Sequence, residues 1–495
     1  MTETNQLHIM FFPLMAKGHM LPIMDMAKLL AARGVKTTIV TTPLNAPVFF
    51  SKTTQSSKNR SINIAIKVLN FPAEEAGLPQ GFESLDLITS HETQMKFITA
   101  INMLQQPLEQ ILEESRPNAL IADMFFPWTT NLAAKFGIPR LVFYGSGFFT
   151  TCITESLNKH KPHEHVNSDT EPFIVPVLAH QIKLTRLQLI RLLLENEQSN
   201  EFTRLLDRLD ESFESSYGVI FNSFYELEPA FADQYKQGRK VWHIGPVSLC
   251  NRDDDDKAQR GREASIDQHD CLKWLDSKKP NSVVYVCFGS LTQFRDSQLI
   301  EIAKGLEASG QKFIWVVRRE KEEDDNNPNW LPKGFEERMR ESEKGLIIRG
   351  WAPQLMILEH ESVGSFVTHC GWNSLIEGVS AGLPMVTWPI CAEQFFNEKL
   401  VTDVLKTGVG VGAEEWVQFG EQRVVVGWEA IEKGVRKVMV VTEEAEEMRN
   451  RARGLGEMAK RAVEEGGSSW NDLNALVEEL RSCREVESSM HLTSV

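Results

Sequence analysis

The feature of this sequence that most constrains its fold is a regular alternation of short apolar runs with longer segments of helical periodicity. Short apolar runs bounded by turn residues are typical of buried strands. In the first half, the predicted strands are 8–12, 36–41, 62–68, 119–122, 140–143 and 218–221, with a helix expected over 21–32. Alternating strands and helices form parallel βαβ units with helices on both faces of a sheet. The sequence therefore predicts an α/β fold of the doubly wound type.

The same alternation restarts after a polar stretch, which indicates two domains. Residues 251–270 are rich in charge and include consecutive aspartates at 253–256. A run of charge is typical of a solvated loop, so we interpret 251–270 as an interdomain linker; a metal-binding acidic cluster is the alternative. The strands predicted after it are 283–287, 312–317, 346–348, 364–368 and 385–388. A chain of 495 residues is also too long for a single core.

These observations set the expected domain boundaries. We expect an N-terminal domain at 1–250 and a C-terminal domain at 271–469, facing each other across a cleft. A helix at 470–483 carries an apolar stripe, and we expect it to pack back on the N-terminal domain. Residues 484–495 are polar and are expected to form a flexible tail.

Composition excludes several classes of function. The formal net charge is −15, whereas a nucleic-acid-binding protein needs a basic face. The 7 cysteines are scattered and lack a CxxC pair, so reduced thiols are expected rather than a disulfide framework or a zinc site. The apolar start of the chain has no basic flank, and no run reaches the length of a membrane span. We therefore expect a cytoplasmic protein. We also expect it to be a monomer.

The most informative segment runs from Trp351 to Gln394. In order, it contains Trp351-Ala-Pro-Gln354, His369-Cys-Gly-Trp-Asn-Ser374, Glu377-Gly378 and Glu393-Gln394. Gly371 and the residues after it open a helix directly behind a predicted strand. Unpaired backbone N–H groups at such a helix start bind anions, which suits a pyrophosphate. Further donors for that anion are the side chains of His369, Asn373 and Ser374, and of Ser290 at the end of another predicted strand.

The two ends of the segment supply partners for the rest of a nucleotide sugar. Trp351 offers a flat face on which a base can stack. Glu377 lies one helical turn beyond Ser374 and can accept hydrogen bonds from two ribose hydroxyls, while Glu393 and Gln394 can bracket sugar hydroxyls. Each residue also has a plainer interpretation, such as a core tryptophan or a solvated glutamate. Their order within one segment favours the nucleotide-sugar site.

The segment resembles, from its first to its last residue, the donor-binding box of plant family-1 UDP-dependent glycosyltransferases. The resemblance extends over nearly the whole chain, including 12–19, 217–229 and 466–469. It implies a GT-B fold, with an acceptor bound by the N-terminal domain, UDP-glucose bound by the C-terminal domain, and no cofactor or metal. The implied donor contacts are Trp351 and the Ala352 backbone with uracil, Gln354 and Glu377 with ribose, His369, Asn373 and Ser374 with diphosphate, and Trp372, Glu393 and Gln394 with the sugar. A terminal Gln in this family favours glucose, whereas His favours galactose.

Sugar transfer with inversion also needs a base for the acceptor hydroxyl, and histidine is suited to that role near neutral pH. His19 is expected in the loop after the first strand, where open α/β sheets bind ligands. Asp123 ends the fourth predicted strand at the same edge and can orient the imidazole. A lone histidine is more often structural, but His19 and Asp123 match the catalytic pair of the family. The resemblance thus implies direct displacement at the anomeric carbon, giving a β-glucoside and UDP.

The sequence says least about the acceptor. Aromatic residues and methionines near the predicted strand ends suit a planar or polycyclic apolar molecule, although a core has the same composition. The candidate acceptor residues are Met15, Gly18, Phe125, Phe126, Tyr144 and Phe148. Family members commonly carry His where this chain has Tyr144. The resemblance implies a flavonoid, a coumarin or other phenylpropanoid, a triterpenoid or a steroid as the acceptor.

Alternative functions remain at this point. A Rossmann dehydrogenase would need a glycine fingerprint that opens a helix, and the glycine run at 408–412 has no such helix behind it. A transferase for another UDP-sugar, and a UDP-sugar epimerase without an acceptor, are the remaining catalytic alternatives. A non-catalytic UDP-sugar-binding protein would be favoured only without His19 or Asp123, and both are present.

Overall fold

The structure, a computed structural model, describes residues 6–49, 64–190, 208–209, 211–258, 260–261, 264–318, 330–417 and 425–493. Contacts divide the chain into two compact units. The first unit comprises Met1–Gly147, Glu197–Arg252 and Arg461–Val495. The second comprises Phe148–Asn196 and Asp253–Lys460. Both units are therefore built from more than one stretch of the chain.

The elements before residue 252 alternate as the sequence predicts. In chain order they are β1 (His8–Phe12), α1 (Lys17–Ala31), β2 (Lys36–Thr41), β3 (Ile64–Val68), α2 (His91–Met103), α3 (Gln105–Ser115), β4 (Ala119–Asp123), α4 (Thr129–Lys135), β5 (Arg140–Tyr144), α5 (Phe148–His160), β6 (Phe173–Ile174), β7 (Lys183–Leu184), β8 (Gly218–Phe221), α6 (Pro229–Tyr235) and β9 (Val241–His243). The antiparallel pair of β6 and β7 is an element that the sequence did not predict.

The elements of the second half continue in the same manner. They are α7 (Asp254–Ala258), α8 (Gln268–Asp276), β10 (Val283–Cys287), α9 (Asp296–Ser309), β11 (Lys312–Val317), α10 (Phe335–Glu341), β12 (Gly345–Arg349), α11 (Gln354–Glu359), β13 (Val363–Thr368), α12 (Trp372–Ser380), β14 (Met385–Thr387), α13 (Gln394–Lys399), β15 (Gly408–Gly410), α14 (Trp428–Met439), α15 (Glu443–Val463) and α16 (Ser468–Thr493). None of the helices within the described ranges is long and apolar enough to cross a membrane.

Each unit contains a parallel sheet whose strand order reverses in the middle. Over the described residues, the first sheet has the order β3-β2-β1-β4-β5-β8-β9 and the second the order β12-β11-β10-β13-β14-β15. The order reverses between β1 and β4 in the first sheet and between β10 and β13 in the second. In open parallel sheets, ligands bind at the carboxyl ends of the strands beside this switch point. The predicted α/β architecture of two doubly wound, Rossmann-like domains is thus confirmed.

The core of the first unit lies on both faces of its sheet, because successive residues of a strand face opposite sides. Ile9 and Phe11 of β1 pack with apolar residues of α1 and α16. Met10 and Phe12 pack with apolar residues of α2, α3 and α4. This double burial explains why β1 reads as a continuous apolar run and not as an alternating pattern.

Several boundaries differ from the sequence prediction. His19 lies in the first turn of α1 and not in a loop, because the helix already begins at Lys17. The glycine run at 408–412 contributes β15, an edge strand that packs against β14. Helix α16 continues to Thr493, so that 484–493 are helical where we expected a flexible tail. The reason is that no Gly or Pro follows Gly467 to stop the helix.

The stretch 251–270, which we expected to be a solvated linker, makes buried contacts. Asn251 is 2% exposed and bonds to Lys28 and Asp25 of α1. Asp253 caps the start of α7 by accepting a hydrogen bond from the Asp256 N–H at 2.8 Å, so the acidic run favours a helix start. Arg260 is buried and bonds to Glu377. The stretch is therefore packed into the fold at Asn251 and at Arg260.

Candidate active site

His19 and Asp123 form a hydrogen-bonded pair at the switch point of the first sheet. The imidazole Nδ1 lies 2.7 Å from Oδ2 of Asp123. Phe12 of β1 pairs with Ala122 of β4, so the turn after β1 and the end of β4 lie side by side. Asp123 has no exposed surface, whereas the His19 side chain is 19% exposed. This leaves the imidazole accessible while its partner is held in the interior.

Both the side chain and the backbone of Asp123 have hydrogen-bond partners besides His19. Its Oδ1 accepts a hydrogen bond from the Phe125 N–H at 3.2 Å. Arg140, at the start of β5, donates to the backbone carbonyls of Asp123 at 3.2 Å and Phe126 at 3.4 Å. Burial lowers the pKa of Arg140 to about 9, and the charge of Asp123 opposes that shift. Sequence reasoning missed Arg140, although an arginine at the start of the apolar run 140–144 is a signal that a buried charge needs a partner.

The helix start that carries His19 is held by a buried ion pair. Lys17 bonds to Asp86, which also accepts a hydrogen bond from Ser84. Burial alone would raise the pKa of Asp86, but the hydrogen bonds from Lys17 and Ser84 bring it below its usual value. The carbonyl of Met15 accepts from the Leu85 N–H at 2.8 Å. Residues 84–86 therefore fix the turn directly before His19.

Some of the candidate acceptor residues lie close to His19. The ring of Phe125 meets the His19 ring edge-on, with 5.7 Å between centroids. Gly18 is exposed in the first turn of α1, one residue before His19. Gly145, which sequence reasoning did not single out, also approaches the imidazole: a Cβ at this position would come within 3.0 Å of Cε1 of His19. Phe125 and Gly145 therefore adjoin the imidazole, and Gly18 is the neighbour of His19 in the chain.

The other candidate acceptor residues are buried in packing contacts. Phe126 has no exposed surface and stacks on Phe12 at 4.3 Å in the core of the first unit. The ring of Tyr144 packs against Phe213 and Phe221, at 5.4 and 5.1 Å. Met15 is 1% exposed, and Phe148 is fully buried at the start of α5 in the second unit. The structure thus places Phe126 and Tyr144 in the core and does not gather them around His19.

The turn between β13 and α12 surrounds the side chain of His369. Gly371 is the N-cap of α12, so the free N–H groups of that helix begin directly after the turn. A Cβ on Gly289 would lie 2.6 Å from Nε2 of His369, and one on Gly371 would also collide with this atom. Gly289 has a φ of +72°, which favours glycine. Two glycines therefore let the backbone approach the imidazole closely.

The imidazole of His369 is held neutral at pH 7 by its burial. Desolvation by burial lowers its pKa to about 4. Its Nδ1 is buried and has no hydrogen-bond partner among the described residues. A neutral imidazole donates a hydrogen bond from only one of its nitrogens, so His369 offers a donor and not a positive charge. Ser290 follows β10 at the neighbouring strand end, and its carbonyl accepts a hydrogen bond from Arg318.

Gln354 and Glu377 lie together at the nucleoside end of the predicted donor segment. Nε2 of Gln354 donates to Oε2 of Glu377 at 2.6 Å and to Oγ of Ser374 at 3.3 Å. The hydroxyl of Tyr285 donates to Oε1 of Gln354 at 3.3 Å. Ala352 is 7% exposed, and Glu377 is 4% exposed rather than on a solvated helix face. The alternative of a solvated glutamate is therefore wrong.

Glu393 and Gln394 lie at the start of α13, and their surroundings include a residue that sequence reasoning missed. Oε1 of Gln394 accepts from the N–H groups of Ile390 at 2.9 Å and Cys391 at 3.1 Å, so its carbonyl fixes the turn before the helix. The missed residue is Asn397, which is fully buried. Its Nδ2 donates to the Cys370 carbonyl at 2.9 Å and to Oε1 of Glu393 at 3.3 Å.

Asn397 thereby connects the turn at Cys370 to Glu393, which lies at the end of the Trp351–Gln394 segment. Cys370 lies in the turn before α12 with a φ of +64° and is fully buried, so its carbonyl needs a hydrogen-bond partner within the protein. Thr150 of α5 donates to Oδ1 of Asn397 at 2.8 Å. The available signal was spacing, because Asn397 lies four residues after Glu393 on the same helical face. Trp372 is 3% exposed and Asn373 half-buried in the first turn of α12.

Within the described parts of the chain, no cluster of three or more His, Cys, Asp or Glu side chains has the arrangement of a metal site. The 7 cysteines are all free thiols, as the sequence predicts. Five of them are buried, and burial raises the pKa of Cys271 and Cys391 to about 12. These two thiols are therefore protonated and unreactive at neutral pH.

Comparison with known proteins agrees with this geometry. Residues 24–415 match the family described as UDP-glucoronosyl and UDP-glucosyl transferase. The chain is 58% identical to scopoletin glucosyltransferase of Nicotiana tabacum, over 96% of this chain and 98% of that protein. It is 54% identical to UDP-glucose flavonoid 3-O-glucosyltransferase 7 of Fragaria ananassa, over 96% of each.

Solved structures share the fold over the whole chain. Glycyrrhiza uralensis UGT73P12, complexed with glycyrrhetinic acid 3-O-monoglucuronide, superposes with a TM-score of 0.91 at 42% identity, covering 99% of this chain and 98% of that one. Medicago truncatula UGT71G1, complexed with UDP-glucose, superposes with a TM-score of 0.76 at 25% identity, covering 97% and 100%. The chain therefore belongs to the plant family-1 UDP-glycosyltransferases and is a glycosyltransferase of the GT-B class.

Proposed function

We propose that this protein transfers glucose from UDP-glucose to a hydroxyl of a small hydrophobic plant aglycone, with inversion, giving a β-O-glucoside and UDP. The observation that carries the proposal is the 2.7 Å contact between His19 and the buried Asp123 in a chain of the UDP-glycosyltransferase family. The first unit would bind the acceptor, and the second unit would bind the donor.

His19 is proposed as the general base. A proton on Nδ1 is shared with the Asp123 carboxylate, which leaves Nε2 as the acceptor for the proton of the substrate hydroxyl. The substrate oxygen forms a bond to the anomeric carbon as the bond from that carbon to UDP breaks. The imidazolium that results is stabilised by Asp123, whose Oδ1 is held by the Phe125 N–H. Since the attack comes from the face opposite UDP, the configuration at the anomeric carbon inverts.

The donor residues are proposed by matching this geometry to the parts of UDP-glucose. Trp351 would stack on uracil, and the Ala352 backbone would pair with it. Gln354 and Glu377, already in contact, would hold the ribose hydroxyls. The diphosphate would meet Ser290, His369, Gly371, Asn373 and Ser374, and the sugar would meet Trp372, Glu393 and Gln394. UDP leaves as an anion, and the N–H groups at the start of α12 and a hydrogen bond from His369 would stabilise it without a metal ion.

The acceptor class is proposed from the named relatives and from the surroundings of His19. One relative is named for scopoletin, a second for flavonoids and a third, from Gentiana triflora, for anthocyanin. A planar phenol would lie beside the ring of Phe125, with Gly18 as a further neighbour. A triterpenoid or steroid is the next class, because the Glycyrrhiza uralensis structure holds a triterpenoid glucuronide. Alternatives are another UDP-sugar donor, or epimerisation of a UDP-sugar.

We further propose that the protein acts as a cytoplasmic monomer. Its free thiols suit a reducing compartment. Sedimentation with and without acceptor would test the monomer, and a species of twice the chain mass of 56.2 kDa would contradict it.

The test of the function is a panel of acceptors incubated with UDP-glucose, with products identified by mass spectrometry. The panel contains a coumarin, flavonoids, a triterpenoid and a steroid, and parallel reactions contain UDP-galactose or UDP-glucuronic acid. The proposal predicts a product heavier by one hexose for a phenol, with UDP-glucose as the preferred donor. A product only with another donor would overturn the glucose assignment. Conversion of the donor without any acceptor would favour the epimerase.

A further inference from the structure

A buried ion pair links the predicted linker to the predicted ribose-binding residue. Nη1 of Arg260 lies 2.5 Å from Oε1 of Glu377. The side chains are 8% and 3% exposed, so both charges are removed from water. A buried carboxylate without a charged partner is strongly destabilised, because its lost hydration is not replaced. Arg260 is therefore what allows Glu377 to be buried as a carboxylate.

The residues around Arg260 are fixed to the same part of the second unit. Ser265 pairs with the backbone of Trp351 twice, donating its N–H to the Trp351 carbonyl at 2.8 Å and accepting the Trp351 N–H on Oγ at 2.9 Å. Lys257 of α7 forms an ion pair with Glu359 of α11 at 2.8 Å. Three separate contacts thus hold this part of the chain against the start of the donor segment.

Gly261 makes the closest approach. A Cβ at Gly261 would overlap Cζ2 of Trp351 and lie 2.6 Å from its Cε2. The residue also has a φ of +105°, a conformation that side chains rarely adopt. The backbone at Gly261 therefore lies directly against the indole ring, and any larger residue would displace one of the two.

The carboxylate of Glu377 is held at both oxygens. Arg260 binds Oε1, and Gln354 binds Oε2 at 2.6 Å. An ionised carboxylate has about four acceptor positions, so each oxygen retains one for a further donor. Neighbouring side chains on β10 are neutral, because burial raises the pKa of both Tyr285 and Cys287. Among the described residues, Arg260 is the cation paired with Glu377.

We propose that Arg260 and Gly261 belong to the donor site as positioning residues: Arg260 orients the Glu377 carboxylate toward the two ribose hydroxyls, and Gly261 supports the indole of Trp351. This inference rests on the proposed function, in which Glu377 and Trp351 bind the uridine. It extends the donor site to residues about 90 positions before the Trp351–Gln394 segment. The ligand recognised is a uridine ribose with both of its hydroxyls.

The test compares the affinities of UDP and 2′-deoxy-UDP, measured by calorimetry in the full-length protein. Wild type should bind UDP at least about tenfold more tightly than the deoxy analogue, since one hydroxyl contact with a charged acceptor is lost. Arg260→Met should weaken UDP binding by about tenfold and reduce the discrimination to less than about threefold. Arg260→Lys, which keeps the charge, should retain most of the discrimination. The matched control is Arg338→Met, which removes an exposed arginine–glutamate pair with Glu307 and should change neither value.

Three results would overturn the proposal. Unchanged discrimination in Arg260→Met would show that Arg260 does not orient Glu377, and tighter UDP binding would show that it obstructs the site. If Arg260→Met does not fold, the double variant with Glu377→Gln removes the unpaired charge. That variant should bind UDP as Glu377→Gln alone does, and a further tenfold loss would contradict the mechanism. Because calorimetry needs no turnover, absence of glucosyl transfer would refute only the proposed function, whereas these results concern only Arg260.

Discussion

Replacing Asp123 by asparagine tests the proposed catalytic pair with almost no change in shape. Oδ1 of Asp123 accepts the Phe125 N–H at 3.2 Å, so the amide oxygen of an asparagine is expected to take this position. The amide NH₂ then faces Nδ1 of His19, where Oδ2 lies at 2.7 Å in the native protein. An NH₂ group donates, so Nδ1 must become the acceptor and the proton moves to Nε2. The base would then carry a proton on the nitrogen that should receive one.

The size of the effect follows from the loss of general-base catalysis. A positioned base contributes about 10²–10⁴-fold to a rate, and an imidazole held in the wrong tautomer loses that contribution. We therefore expect kcat of Asp123→Asn to fall by about 10²–10⁴-fold. The loss should be smaller for an acidic phenol than for an aliphatic alcohol, because the phenol needs less help from a base.

The assay is UDP release at saturating UDP-glucose, with UDP affinity measured separately by calorimetry. The affinity should stay within about twofold of wild type, because Asp123 is not among the donor residues. A suitable control is Asp233→Asn, which alters a carboxylate that accepts a hydrogen bond from Tyr225 in the same unit. A variant with kcat within about threefold of wild type would refute the assignment of Asp123.

Three further predictions follow from particular contacts. Asn397→Leu leaves the Cys370 carbonyl without its donor at 2.9 Å, so kcat/KM for UDP-glucose should fall by about tenfold. Thr150→Val removes only one partner of Asn397 and should lower kcat/KM by less in the same kinetic assay. Equal losses in the two variants would contradict this prediction. Burial lowers the pKa of His8 to about 4, so the folded protein binds fewer protons than the unfolded chain between pH 6.5 and 4, and stability should fall as the pH drops through this window. Urea unfolding at pH 7 and pH 5 measures how much the free energy of unfolding decreases between these two pH values. The decrease should be smaller in His8→Gln than in wild type by about 1–2 kcal/mol, and an identical decrease would contradict the burial of a neutral His8. EDTA should leave turnover unchanged, since the proposed stabilisation of UDP uses N–H donors; a loss restored by a divalent cation would contradict it.

The sequence was sufficient for the architecture because both sheets are buried on two faces. Strands such as 283–287 and 312–317 are continuous apolar runs, and the structure confirms their bounds. Gly408–Gly410 was not predicted as a strand, because three residues with two glycines carry almost no hydrophobic pattern. Likewise, the helix through Thr493 follows from the absence of helix-stopping residues, a weaker signal than the polar composition of the tail.

Candidate site residues could be named from the sequence where they lie in a recognisable motif at the end of a strand or in the segment that follows it, as His19, Asp123 and His369 do. Residues that act through others carry no such motif. Arg260 occurs in a charged stretch whose composition is typical of a solvated loop. Its burial depends on its pairing with Glu377, which lies more than a hundred residues later in the chain. Arg140 and Asn397 are single polar residues in apolar surroundings, so their partners could be identified only from the fold.

The central claim is that an acceptor oxygen displaces UDP directly at the anomeric carbon with His19 as the base. Its most direct test is proton NMR of the product formed from UDP-glucose and a coumarin, by wild type and by His19→Ala. The claim predicts a β-linked glucoside from wild type and loss of most turnover in His19→Ala, with UDP affinity unchanged. An α-linked product, or full activity without the imidazole, would contradict it.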